Sequence, residues 1–225
     1  MRQAAAEPSG TAMDTQGHWE KVYGSKRPTE VSWYRPHLEV SLRLIETAAP
    51  QRDARVIDVG AGESTLVDDL LARGYSKLTA IDISSVALDV AKARVGAAGR
   101  DVTWLHGDIL TFPFARHAYD VWHDRAVFHF LVDAVARAAY VRQVAHALRP
   151  GGYAIVATFG PEGPTRCSGL DVVRYGPDAL HDEFGDAFRL VQHLTELHRT
   201  PGGTTQQFTY CFCRLDPGQG TPSRA

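Results

Sequence analysis

Two glycines stand two positions apart at the end of an apolar run, Val56-Ile57-Asp58-Val59-Gly60-Ala61-Gly62, and Glu63-Ser64 leads from them into an amphipathic stretch. Glycine permits the tight positive-φ backbone that lets a ligand meet the main chain, and serine suits a helix start. The unit predicts a buried strand, a ligand-contacting turn and a helix, of the kind that holds a nucleotide-like cofactor at the carboxyl ends of parallel strands. A dinucleotide fingerprint, G-x-G-x-x-G, would need a third glycine where this chain has Thr65. A ligand without a pyrophosphate therefore suits the turn better. Asp82 is expected at the end of the next strand, placed to accept from both hydroxyls of a ribose. Asp108 is expected one strand further on, placed to accept from the exocyclic amine of adenine.

The elements that must position these residues follow from periodicity. Leu38, Leu42, Ile45 and Ala49 recur at helical spacing between His37 and Pro50. A helix is expected from Ser64 to Arg73, a strand over Lys77–Ile83, and a helix capped by Ser84 that carries Val86, Leu88, Val90 and Val95. Short strands are read at Val102–His106 and Tyr119–His123. A helix over Asp133–Leu148 stops at Arg149-Pro150-Gly151-Gly152, and a fifth strand spans Tyr153–Phe159. The Gly/Pro-rich stretch from Gly160 to Leu170 is read as a loop, and Pro177–Phe184 as a short helix. Phe188–Leu197 and Gln206–Arg214 flank Pro201-Gly202-Gly203 and are expected to pair as a hairpin. The fold class is thus α/β: a Rossmann-like, doubly wound seven-stranded sheet, mostly parallel with an antiparallel C-terminal strand. One domain is expected over residues 18–215, with 18–50 forming an N-terminal cover and helix, and with disordered ends at 1–17 and 216–225.

A length of 225 residues with 44% apolar side chains supports one soluble globular core. The formal net charge of -2 gives no general attraction to nucleic acid or to an anionic membrane. No apolar run reaches the about 18 residues of a membrane span, and the first residues lack the apolar centre of a secretory signal. Cys167, Cys211 and Cys213 make neither a disulfide framework nor a zinc spacing, so a reduced cytoplasmic protein without a metal is expected.

Five segments in order, Ile57-Asp58-Val59-Gly60-Ala61-Gly62, Asp82, Gly107-Asp108-Ile109, Tyr119-Asp120-Val121 and Leu148-Arg149-Pro150-Gly151-Gly152, resemble the class I S-adenosylmethionine-dependent methyltransferases. The resemblance runs from about residue 54 to 160. The Gly-x-Gly-x-Ser turn, with Trp19, Tyr23 and the Trp33-Tyr34 pair upstream, is similar to the branch that includes protein-lysine methyltransferases. That resemblance implies S-adenosylmethionine as cofactor. It implies that Gly60, Ala61 and Gly62 meet the methionyl part, that Asp58 orients the turn, that His123 is a further cofactor-binding residue, and that Asp82 and Ile83 bind the ribose. It further implies that Asp108 and Ile109 hold the adenine, and that Trp33 and Tyr34 cover the sulfonium with aromatic faces.

Methyl transfer from a sulfonium is an in-line displacement, so the protein mainly positions a nucleophile. Acceptor groups are expected beyond the fourth and fifth strands, with Asp124, Arg125 and His129 as catalytic candidates. Asp124 would hold an amine or take its proton, His129 would act as a base near neutral pH, and Arg125 would pair with a carboxylate. The lysine branch commonly carries an acidic residue, lysine and glycine after strand four; this chain reads His123-Asp124-Arg125-Ala126-Val127-Phe128-His129. A small acceptor bearing a thiol, amine or carboxylate is the first expectation. A protein lysine is the alternative, and a non-catalytic cofactor-binding protein is the reading from another class. Nucleic acid is the least supported acceptor, because the Asn/Asp-Pro-Pro-aromatic tetrad used on flipped bases is absent.

Overall fold

Strand β1 (Arg55–Val59) lies at the centre of the sheet and is covered on both faces: every residue from Val56 to Val59 is buried, the carboxylate Asp58 among them. The computed structural model describes residues 14–218. In chain order it contains α1 (Thr15–Ser25), α2 (Glu39–Ala48), β1, α3 (Leu66–Ala72), β2 (Lys77–Asp82), α4 (Ser85–Val95), β3 (Thr103–His106) and β4 (Tyr119–Arg125). These are followed by α5 (Ala134–Ala147), β5 (Leu148–Phe159), a small hairpin β6–β7 (Arg166–Cys167 and Leu170–Asp171), α6 (Pro177–Asp182), β8 (Phe188–Arg199) and β9 (Thr205–Leu215).

The main sheet has the order β3-β2-β1-β4-β5-β9-β8, with β1 to β5 parallel and β9 antiparallel to both β5 and β8. Successive β1 residues feed two cores. Val56 joins Leu42, Ile45 and Leu70 on one face, whereas Ile57 joins Trp122, Tyr140 and Val144 on the other. The strand order reverses between β1 and β4, so their carboxyl ends diverge there and leave a crevice, the usual ligand position in open α/β sheets.

The expected strands and helices are present, with local differences. Residues 15–17 were assigned to a disordered end, but they form the first turn of α1, because Asp14 caps it by accepting from Gly17 N at 2.9 Å. At the other end, where disorder is expected from 216, residues 216–218 are described and Asp216 N donates to Ala187 O at 3.0 Å; the remaining expected disorder, at 1–13 and 219–225, lies outside the described residues. β5 begins at Leu148, five residues early. Leu148 pairs with Tyr119, and an irregularity between Tyr119 and Val121 absorbs the glycines. The stretch read as a loop contains the β6–β7 hairpin, whose turn residue Ser168 has φ +48. Its two-residue strands are too short to show a period.

Candidate active site

The glycine turn is confirmed by space as well as by torsion. Gly60 has φ +62, and a Cβ there would come 2.0 Å from Val127 Cγ2; Gly62 has φ +50, and its Cβ would meet Tyr23 Oη at 2.5 Å. Asp82, at the end of β2, fastens the turn by accepting from Gly62 N at 2.8 Å and from Ser84 N at 2.8 Å. Burial pushes the Asp82 carboxyl up to about 6, against the pull of those two backbone hydrogen bonds.

A cavity of about 220 Å³ opens over the ends of β1, β2 and β3. Its floor carries Gly60, Asp82, Ile83, Asp108 and Ile109. Its roof comes from α1 and the following segment: Trp19 stands edge-on to Trp33 (6.0 Å) and Phe130 (5.2 Å), and Tyr23 edge-on to Trp33 (6.3 Å). Glu20 holds this roof down. Its carboxylate accepts from Ser84 Oγ (2.9 Å), Ser85 N (2.8 Å), Ser85 Oγ (3.0 Å) and Val86 N (3.2 Å) at the start of α4. Desolvation raises the Glu20 pKa, but these hydrogen bonds outweigh it and hold the carboxyl below its ordinary value.

A smaller cavity of about 50 Å³ adjoins the first, sharing Tyr23, Trp33, Gly60 and Arg125 as walls. It carries both signs of charge, being lined by Asp58 and Glu63 and by Arg35 and Arg125. Asp58 Oδ1 meets His123 Nδ1 at 2.7 Å, while Asp58 Oδ2 and Glu63 Oε2 are buried without a hydrogen-bond partner. Burial raises the Glu63 carboxyl, partly offset by Arg94. Ala61, Tyr34 and His123 also line this cavity, so Tyr34 does not share the larger space with Trp33. Gly62 lines neither cavity; it acts through its N–H on Asp82.

Of the three catalytic candidates, Arg125 alone reaches the cavities. Asp124 is a correction: both oxygens face inward, Oδ1 accepting from Val127 N (2.8 Å) and Oδ2 from Phe128 N (3.1 Å) and Tyr140 Oη (2.5 Å). It caps the turn that Ala126 makes at φ +78, and burial lifts it to about 6. His129 is the second correction. Its ring lies between Phe130 and Phe159, Nδ1 accepts from Phe159 N at 3.2 Å, and burial with the Arg125 charge depresses it to about 3. It is neutral at physiological pH and too basic-poor to take a proton there. Cys167 lines the larger cavity, where burial pushes its thiol up to about 12. Cys211 and Cys213 lie in the opposite core, their Sγ atoms 3.4 Å apart. Among the described residues no cluster of three or more His, Cys, Asp or Glu side chains could hold a metal, and no helix is long and apolar enough to cross a membrane.

His123 reaches further. Its Nε2 meets Ser41 Oγ at 2.8 Å, giving Asp58–His123–Ser41 the connectivity of a nucleophile triad. Ser41 is fully buried and lines neither cavity, so the arrangement orients groups and attacks nothing.

A model of the family described as a methyltransferase domain matches residues 56–152. The chain carries a class I methyltransferase domain. It is 29% identical over 118 residues to the eEF1A lysine and N-terminal methyltransferase of Mus musculus, covering 52% of this chain and 16% of that protein. It is 33% identical over 116 residues to an uncharacterised methyltransferase of Mycobacterium tuberculosis, covering 52% of this chain and 56% of the relative. The methyltransferase domain thus spans less than two thirds of either relative. Its fold matches, at TM-score 0.72 and 19% identity over 91% of this chain and 93% of the other, a structure concerned with conversion of a disulfide bond into a thioacetal group during echinomycin biosynthesis. Family and fold imply S-adenosylmethionine as the cofactor of the methyltransferase domain.

Proposed function

We propose that this domain transfers a methyl group from S-adenosylmethionine to a small-molecule acceptor bearing a thiol, amine or carboxylate. The observation that carries the donor half is the pair of joined cavities. One has strand-end carboxylates suited to a nucleoside, and the other has both charge signs, suited to the ammonium and carboxylate of an amino-acid end. The buried, unbonded Asp58 Oδ2 is a polar atom still in need of a donor, as a bound ammonium would supply.

When bound, S-adenosylmethionine supplies a methyl group on a sulfonium. Asp82 would accept from the ribose and Asp108 from the adenine, while Asp58 and Glu63 would face the ammonium and Arg35 and Arg125 the carboxylate. Trp19, Tyr23 and Trp33 exclude water and offer aromatic faces to positive charge. The acceptor would approach past Phe130, Leu131 and Cys167. A small acceptor is favoured because the roof covers this space and because Asp124, the carboxylate that would manage a lysine ammonium, is turned into the core.

Calorimetry tests the donor half: S-adenosylhomocysteine is expected to bind, with Asp82→Ala about 100-fold weaker because two charge-assisted hydrogen bonds are lost. Tight binding of NAD in its place refutes the reading. Methyl-labelled donor incubated with size-fractionated cell extract tests the acceptor half, with label expected in the low-mass fraction. Label in protein would select the lysine alternative, which the similarity to an enzyme named for eEF1A lysine supports. Binding of donor with no label transferred to any fraction would select a non-catalytic role.

A further inference from the structure

The walls of the smaller cavity are joined through the interior of the protein. From Asp58 and His123 the hydrogen bonds continue from Ser41 Oγ to Tyr210 Oη (3.3 Å), and Tyr210 donates to Glu196 Oε2 at 3.1 Å. Arg35 Nη1 donates to the other oxygen, Glu196 Oε1, and Arg125 Nη2 stands 3.7 Å from Oε2. The path leaves β1, crosses β4, α2, β9 and β8, and returns to Arg35 and Arg125. Asp58 and His123 are walls of the smaller cavity at one end, and Arg35 and Arg125 are walls at the other.

Unbonded polar atoms are confined to the ends of this path. They are Asp58 Oδ2 on the anionic side and Arg125 Nε and Nη2 on the cationic side. Both ring nitrogens of His123, both hydroxyls and both oxygens of Glu196 have partners. Arg125 is otherwise held by the face of Phe208 (4.1 Å) and by one bond from Nη1 to Trp33 O (3.3 Å). A buried polar chain costs more than apolar residues of the same size unless each interior group is satisfied, and here each interior group is. What such a chain adds over an apolar core is a fixed separation between one negative and one positive wall.

We infer that Ser41, Tyr210 and Glu196 are positioning residues that hold Asp58 and Arg125 at the spacing of an amino-acid zwitterion, so that the smaller cavity selects the ammonium–carboxylate end of the donor. None of the three lines either cavity, so their effect passes through Asp58, His123, Arg35 and Arg125. This inference rests on the donor reading above.

The test compares two ligands by calorimetry: S-adenosylhomocysteine, and methylthioadenosine, which keeps the nucleoside and lacks the amino-acid end. Tyr210→Phe and Ser41→Ala each remove one hydroxyl and little volume, and Glu196→Gln keeps the shape of the side chain. In each variant, affinity for S-adenosylhomocysteine is expected to fall about tenfold, the worth of a buried hydrogen bond near charge, with methylthioadenosine changed less than about twofold. A purely structural role would weaken both ligands together, and that outcome, or an unchanged affinity for S-adenosylhomocysteine, overturns the inference. If Ser41→Ala or Tyr210→Phe fails to fold, Glu196→Gln decides. Wild-type protein that binds neither ligand overturns the donor reading, and is distinguishable from wild-type protein that binds both while the variants lose nothing.

Discussion

His129 shows how much one side chain's surroundings outweigh its type. By type and position it is a candidate base near neutral pH, yet the ring is enclosed and burial depresses its pKa to about 3. The sign of the consequence is definite. Below the ordinary histidine pKa near 6.5 the unfolded chain binds a proton that the native chain refuses, so stability falls as pH drops from about 6.5 toward 3. His129→Gln, whose amide oxygen can still accept from Phe159 N, is expected to remove that contribution, worth up to about 1.4 kcal/mol per pH unit. Urea titrations of both proteins at pH 7 and pH 5 would check it; equal slopes with pH would refute the assignment. The buried Asp82 and Asp124, both raised to about 6, act oppositely: they bind protons in the native state between about 4 and 6, and so favour folding as pH falls through that window. They are present in both proteins and cancel in the comparison.

At the scale of elements, α1 is the part least legible in the sequence. Its residues are polar and mixed, and only Tyr23 is buried, so no apolar stripe announced it. What fixes it is Glu20 on the amino end of α4, where a carboxylate meets unpaired backbone N–H groups and the positive end of the helix dipole. A contact between residues more than 60 positions apart leaves no local trace. The sheet, by contrast, was legible because β1, β2 and β5 are long apolar runs closed by glycine, aspartate or proline. Asp124 misled for a related reason: a carboxylate at a strand end looks the same whether it faces a ligand or caps the next turn. Glu20→Ala is expected to weaken S-adenosylhomocysteine binding about tenfold, since hydrogen bonds to a charged group are among the stronger ones. The core is expected to keep its melting temperature within a few degrees, a shift of about 1 kcal/mol or less. An unchanged affinity would show that α1 is no part of the donor site.

Across the whole molecule, the sheet supplies rigidity, and both cavities are walled by the carboxyl ends of its inner strands and by the N-terminal cover. The β8–β9 hairpin reaches back to the cover: His198 Nε2 meets Ser32 O at 2.7 Å, and Glu196 holds Arg35. The lining of the proposed donor cavity was legible because it lies in strand-end residues at fixed places in a βα order. The bridge through Ser41, Tyr210 and Glu196 was not, because its members are 155 positions apart or more from α2 to the closing hairpin, and each alone reads as core.

Glu20 is both the fastening of the roof and the cap of α4, and this double use ties two motions together. Were α1 to lift and admit or release a ligand, the amides of Ser85 and Val86 would lose their acceptor in the same event. Their exchange with solvent deuterium then counts roof openings directly. Saturation with S-adenosylhomocysteine is expected to slow exchange at these two amides by about the factor [L]/Kd, while amides that exchange by local fraying away from the cavities keep their rates. Exchange unaltered by ligand would mean that the entrance lies elsewhere. The first turn of a helix would thus keep time for a door it does not belong to.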